Sequence, residues 1–217
     1  LLGRELGDSV QGELIVGCFV TLAPFFLPRL LKELQRSHPQ LHVHLSEGAL
    51  DQVQAALLAG ETEISLVYDI DLDRQLATEE LTRVRPHVLV ASNHHLATHS
   101  TVSLSALATE PMILLDLPHS RDYFRSLFFN AGVEPVIRHR TQSFELVRGL
   151  VGQGHGYSVL NLQPRSNRTY DGGRVIYIPI EDPTTDLAIA IARPRGIQLT
   201  HRAEAFSAVC RRFFVVG

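Results

Sequence analysis

Hydrophobic and polar positions alternate along this chain in two rhythms that take turns. Leu14 to Phe19 is a short apolar run of strand length, and Ala23 to Ser37 carries Phe26, Leu27, Leu30, Leu31 and Leu34 at spacings of three and four. Leu41 to Leu45 then reads as a second strand. Ala49 to Ala59 returns to the helical rhythm through Leu50, Val53, Ala56 and Leu57, with Gly60 placed to end it, and Glu63 to Tyr68 is a third strand. A βαβαβ series of this kind predicts a parallel sheet with helices on its faces.

The character changes after Leu81. Val88 to Ala91 reads as a strand and His94 to Thr101 as a polar loop. Further strands are expected at Pro111 to Leu115, Pro135 to His139, Tyr157 to Leu160, Arg174 to Pro179 and Leu187 to Ala192. Helices are expected at Ser120 to Asn130, closed by Gly132, at Ser143 to Val151, ended by Gly152 and Gly154, and at Thr200 to Phe214. The last carries Ala203, Phe206, Val209, Cys210 and Phe213 on one side. Two α/β units joined by a chain that crosses over and later returns are expected to leave a cleft between them, and ligands in open α/β sheets collect beyond the carboxyl ends of the strands.

Composition narrows the function. A length of 217 residues, 45% of them hydrophobic, supports a sizeable core. A net charge of -3 excludes nucleic-acid binding by bulk positive charge. No apolar run reaches bilayer length and no signal-peptide core opens the chain, so a cytoplasmic protein is expected. Cys18 and Cys210 form no C-x-x-C pair, and a buried structural thiol is the expected state of Cys18, with a redox role as its alternative. The chain begins with Leu1 and its one methionine is Met112, so it is expected to be part of a longer protein, with residues 1–11 as a linker remnant.

The chemistry-bearing residues are few. Thr21 stands where the first strand turns into a helix opened by Pro24, and two readings are open: a cap for that helix, or one wall of an anion seat formed by its N-terminal N–H groups. His42 and His44 share one strand face, but no third residue has metal-ligand spacing, and no metal or cofactor is expected. Gly152-Gln-Gly-His-Gly156 follows a helix and lacks a lysine, which argues against a phosphate loop. Ser158 lies outside a nucleophile elbow, so hydrolysis is not expected.

Several segments in order resemble the effector-binding domain of LysR-type transcriptional regulators. They are Gly12-Glu-Leu-Ile-Val-Gly17, Leu27-Pro28, His38-Pro39, Leu57 to Leu66, Asn93-His-His-Leu-Ala97, and Glu145 to Leu160 with its Gly-Gln-Gly-His-Gly. The resemblance implies two Rossmann-like subdomains in a periplasmic-binding-protein-like (type II) fold, residues 12–86 with 190–217 forming one and 87–189 the other. It implies a preceding helix-turn-helix DNA-binding domain, a homodimer of this domain and a tetramer of the complete regulator, with RNA polymerase as a further partner. The first helix, around Phe25 to Gln35, would face a partner's helix around Tyr123 to Asn130.

Effector positions carried over from the resemblance are Thr21, Phe19, Leu50, Arg85, His119, Ser120, Gln142, Ser143 and Asn161. Leu50 stands where a hydroxyl is frequent, and Asn161 where proline is. His119 and Ser120 precede a helix whose dipole end would meet the first across the cleft, favouring a carboxylate or another anion. Arg85, Ser120 and Ser143 each have an ordinary alternative, as a solvated arginine or as helix caps. A solute-binding protein or a small-molecule enzyme on the same two-lobed fold is the alternative function.

Overall fold

A computed structural model describes residues 10–216, so most of the linker reading for residues 1–11 lies outside the described residues. The chain divides into two compact units: the described residues up to Thr82 together with Ala188 onward, and Arg83–Leu187.

The first unit begins with strand β1 (Gly12–Phe19), helix α1 (Ala23–Ser37), strand β2 (Leu41–Gly48), helix α2 (Leu50–Leu58) and strand β3 (Ile64–Tyr68). Apolar residues at helical spacing make α1 fold onto the sheet: Ala23, Leu27, Leu30 and Leu34 are all buried. β1 pairs in parallel with both β2 and β3. β3 is buried at every position, the burial expected of a central strand covered on both faces.

Two further strands, β4 (Leu76–Val84) and, after the second unit, β10 (Leu187–Pro194), complete a sheet of order β2-β1-β3-β10-β4. The sheet is mixed rather than wholly parallel, because β10 runs antiparallel to β3. The repeating βαβ rhythm does not extend to a strand that returns from another unit, so its direction was not set by a crossover helix. β4 was not expected at all. Its sequence, Leu-Ala-Thr-Glu-Glu-Leu-Thr-Arg-Val, is polar because it lies at the sheet edge with its middle exposed. Helix α5 (His201–Val216) buries Ala203, Phe206, Val209 and Cys210, and the Thr200 hydroxyl caps it by accepting from the Ala203 N–H at 3.1 Å. Phe213 and Phe214 meet Phe26 of α1, with ring centroids 6.4 and 5.0 Å away.

The second unit contains β5 (His87–Ala91), a 3-10 turn at Leu104–Leu107, β6 (Pro111–Leu115), α3 (Ser120–Asn130), β7 (Val136–Thr141), α4 (Phe144–Gly152), β8 (Ser158–Leu160) and β9 (Val175–Pro179). β5 lies between β8 and β9, antiparallel to both, while β6 and β7 pair in parallel. Tyr157 joins the two groups, its N–H donating to the Pro111 carbonyl and its carbonyl accepting from Ile113. Gly156 makes this junction possible: at φ +154° a Cβ there would stand 2.1 Å from the Pro111 carbonyl oxygen. The adjoining Ser158 hydroxyl donates to the Ile113 carbonyl at 2.7 Å.

Arg148 of α4 is the chief buried cation of this unit. Its guanidinium donates to Glu145, the Tyr177 hydroxyl and the carbonyls of Ser166 and Arg168, and so pins the segment after β8 against the helix.

Candidate functional site

In the first unit, the candidate residues gather where β1 gives way to α1. Phe19 is buried with its ring edge-on to Tyr68 at 5.5 Å. Thr21 is also buried, but the helix N-cap is Leu22 and no side chain caps it. The capping reading of Thr21 is therefore corrected: the N-cap position falls one residue later, on a leucine with no hydroxyl to offer. α1 enters its first turn with its N-terminal N–H groups uncapped by any side chain, and Thr21 beside them.

Leu50, expected among the contacts, is the first residue of α2 and fully buried, so it acts as core. Gly17 lies under this layer because a Cβ there would meet the Ser65 hydroxyl at 2.2 Å. Ser65 and Thr62 are themselves buried hydroxyls without hydrogen-bond partners.

In the second unit, β6 leads into Leu117-Pro118-His119, and His119 adopts φ +65°. That left-handed turn makes His119 the N-cap of α3, again without a side-chain cap bond. Ser120 is the first helical residue, not the cap as one reading had it, because the turn spends one more residue than the helical pattern reveals; its side chain is buried. Asp116, just before, pairs with Arg121 at 3.1 Å and lies 3.9 Å from Arg140.

Asn161 follows β8 and is buried, with neither amide atom in a hydrogen bond of good geometry. It neighbours Tyr123, whose hydroxyl donates to the Thr185 carbonyl at 2.6 Å. Burial raises the phenol's pKa above the ordinary tyrosine value, while the Asn161 amide acts in the opposite sense. Tyr123 was not among the expected contacts. The sequence signal that could have found it is its place one turn after Ser120 on the same helix.

The remaining candidates are exposed. Ser143 is exposed and caps α4, accepting from the Leu146 N–H at 3.2 Å, and Gln142 beside it is exposed. Arg85 is exposed, with Nε 3.4 Å from a carboxylate oxygen of Asp186.

Reactive chemistry is sparse. Both cysteines are fully buried, burial pushes the Cys18 thiol far above its usual range, and it pushes Cys210 up to about 12. Such thiols hold almost no thiolate at neutral pH. His94, His95 and Glu110 bring their donor atoms within 4.8 Å of one another, a grouping that local spacing hides because Glu110 comes from the far end of the loop.

An α/β chain of two units, each placing a buried hydroxyl at a helix start, has the build of a small-ligand-binding domain. The family model for the LysR substrate binding domain matches residues 7–215, and this chain belongs to that family: it is the effector-binding domain of a LysR-type transcriptional regulator, with a type II periplasmic-binding-protein-like fold. HinK, a LysR family transcriptional regulator from Pseudomonas aeruginosa, is similar at 37% identity with a TM-score of 0.90, over 95% of this chain and 72% of that one. The "Hydrogen peroxide-inducible genes activator" of Pectobacterium carotovorum subsp. carotovorum is 26% identical over 212 residues, which are 97% of this chain and 70% of the relative. At 20% identity the fold is shared with the effector-binding domain of QuiR, solved in complex with shikimate, at a TM-score of 0.83 over 95% of this chain and 99% of that one.

Proposed function

We propose that this domain binds a small carboxylate or related anion, with the Thr21 hydroxyl, the Ser120 hydroxyl and the Asn161 amide as its contacts. The observation that carries the reading is the pair of buried hydroxyls at the starts of α1 and α3, where no side chain caps the helix. The positive dipole end of each helix favours an anion beside these hydroxyls, which supply the donors because the chain itself holds several of the N–H groups there: Phe25 donates to the Leu22 carbonyl, Ser120 to Pro118 and Arg121 to Leu117. The shikimate bound by QuiR is itself a carboxylate, which supports the ligand class.

Ser143, whose hydroxyl is spent on its own helix, and exposed Arg85 are secondary contacts at most. Ligand binding favours one conformation of the regulator and thereby controls a helix-turn-helix segment that precedes this domain, by no more than the ligand's differential affinity for the two states. The domain is not an enzyme and works in the cytoplasm. No described helix is long and apolar enough to cross a membrane. Two copies pair through α1 and α3, where Phe129 stands 82% exposed; Phe26 contributes less to this face than the helical pattern suggests, being engaged with Phe213 and Phe214.

A second reading, a thiol-based peroxide sensor, is raised by the Pectobacterium relative's name but opposed by the burial of both cysteines.

Calorimetric titration with shikimate, benzoate and a panel of other small carboxylates tests the proposal. Thr21→Val and Ser120→Ala each remove one hydrogen bond to a charged group, worth about 1.5–3 kcal/mol, so affinity falls roughly 10- to 100-fold. Equal affinity for a carboxylate in wild type and both variants removes these residues from the site.

A further inference from the structure

We propose that His94, His95 and Glu110 form a binding site for a divalent transition ion of the zinc class, separate from the effector contacts. His94 and His95 lie in the loop that leaves β5, and Glu110 immediately precedes β6. The two imidazoles stack with centroids 4.3 Å apart and planes 29° from parallel, so both present an edge to the same carboxylate. His95 Nε2 is 3.5 Å from one Glu110 oxygen, and His94 Nε2 is 3.8 Å from the other.

Those separations suit a shared ion. Tetrahedral ligands about 2.0–2.2 Å from zinc stand roughly 3.3–3.6 Å from one another, and the three donor atoms here all lie within 4.8 Å of one another, so closure needs side-chain movements of about an ångström. Two imidazoles and one carboxylate form a borderline donor set that favours zinc, nickel or copper over magnesium or calcium, with a fourth position left for water.

Electrostatics also favours a cation here. Glu110 is three-quarters buried and, among the described residues, is paired with no lysine or arginine. In the ion-free form, His94 Nδ1 accepts the Leu96 N–H at 3.2 Å, which leaves the proton on Nε2, facing Glu110. Capture of an ion by Nε2 moves that proton to Nδ1 and releases the long Leu96 bond. This moderates affinity, and a tight structural zinc site is not expected. A bound ion would tie the loop after β5 to the start of β6.

The experiment is calorimetric titration of the chelator-treated chain with zinc chloride, paired with visible spectroscopy of the cobalt-loaded chain. One saturable equivalent is expected, with cobalt absorption typical of nitrogen and oxygen ligands. His95→Ala, at a side chain 65% exposed, leaves the fold intact and weakens binding at least ten-fold, and Glu110→Gln does the same. His42→Ala and His44→Ala, at two exposed histidines of β2, leave that equivalent unchanged. Absence of saturable binding by the wild-type chain overturns the proposal, and so does His95→Ala binding with wild-type affinity. Neither result bears on the carboxylate titration, so this inference and the effector reading fail independently.

Discussion

Replacing Arg148 by alanine removes a cation that is 96% buried at its side chain, and the loss is worked from what it leaves behind. Four hydrogen-bond acceptors lose their donor: a Glu145 oxygen, the Tyr177 hydroxyl, and the carbonyls of Ser166 and Arg168. The Glu145 side chain is only 21% exposed, so a carboxylate stays poorly solvated and unpaired. Breaking one side of a buried ion pair costs about 3–5 kcal/mol. Some of that is recovered as Glu145 turns toward water, because its other oxygen still accepts from the Tyr170 N–H. The expected destabilisation is therefore about 3–4 kcal/mol.

Arg211→Ala is the control, because Arg211 also pairs with two carboxylates, Glu79 and Glu204, but with its side chain 43% exposed. Water solvates all three partners there, and the expected loss is about 1 kcal/mol or less. Urea unfolding followed by circular dichroism measures both, with the midpoint compared at constant slope. If the two variants lose equal stability, burial does not set the value of these arginines and the reasoning is refuted.

Three other outcomes are expected. Gly156→Ala meets the Pro111 carbonyl, a backbone atom that cannot rotate away, whereas Gly60 at φ +73° has open space, so Gly60→Ala costs about 1 kcal/mol and Gly156→Ala several times more; similar thermal melting of the two would contradict the close approach. Burial lowers the His87 pKa to about 4 from an ordinary 6.5, so the unfolded chain binds the extra proton first. Its contribution is complete above pH 6.5 and is lost as pH falls toward 4, by up to about 3 kcal/mol; His87→Phe, which keeps a ring against Tyr177, should flatten that slope in urea midpoints taken between pH 7.5 and 4.5. Cys18 and Cys210 should react with a thiol reagent only on unfolding, and hydrogen peroxide should leave the native chain's mass unchanged; rapid native labelling would restore the redox reading.

Most elements were legible because their signals are local. α1 and α3 occupy the expected Ala23–Ser37 and Ser120–Asn130, since apolar spacing and the flanking turn residues lie within each segment itself. β4 escaped for the opposite reason: an edge strand has one partner and much solvent, so its Thr-Glu-Glu centre carries no apolar run to read. Of the two readings open for Thr21 and for Ser120, the capping one missed by a single residue, because a hydroxyl's role depends on where φ and ψ turn helical. His119 at φ +65° moves that point without any glycine to announce it.

The amino-acid order by itself determined the alternation of strands and helices, the family resemblance and the shortage of reactive groups, because each depends on neighbours a few residues apart. Tertiary structure alone decided that β10 runs against β3, that Arg148 reaches Tyr177 and the carbonyls of Ser166 and Arg168, and that Glu110 reaches the two histidines of the preceding loop. Those are contacts between groups distant along the chain. They exist only once burial of the apolar faces has brought the segments together, and no local periodicity encodes which polar groups will then be neighbours.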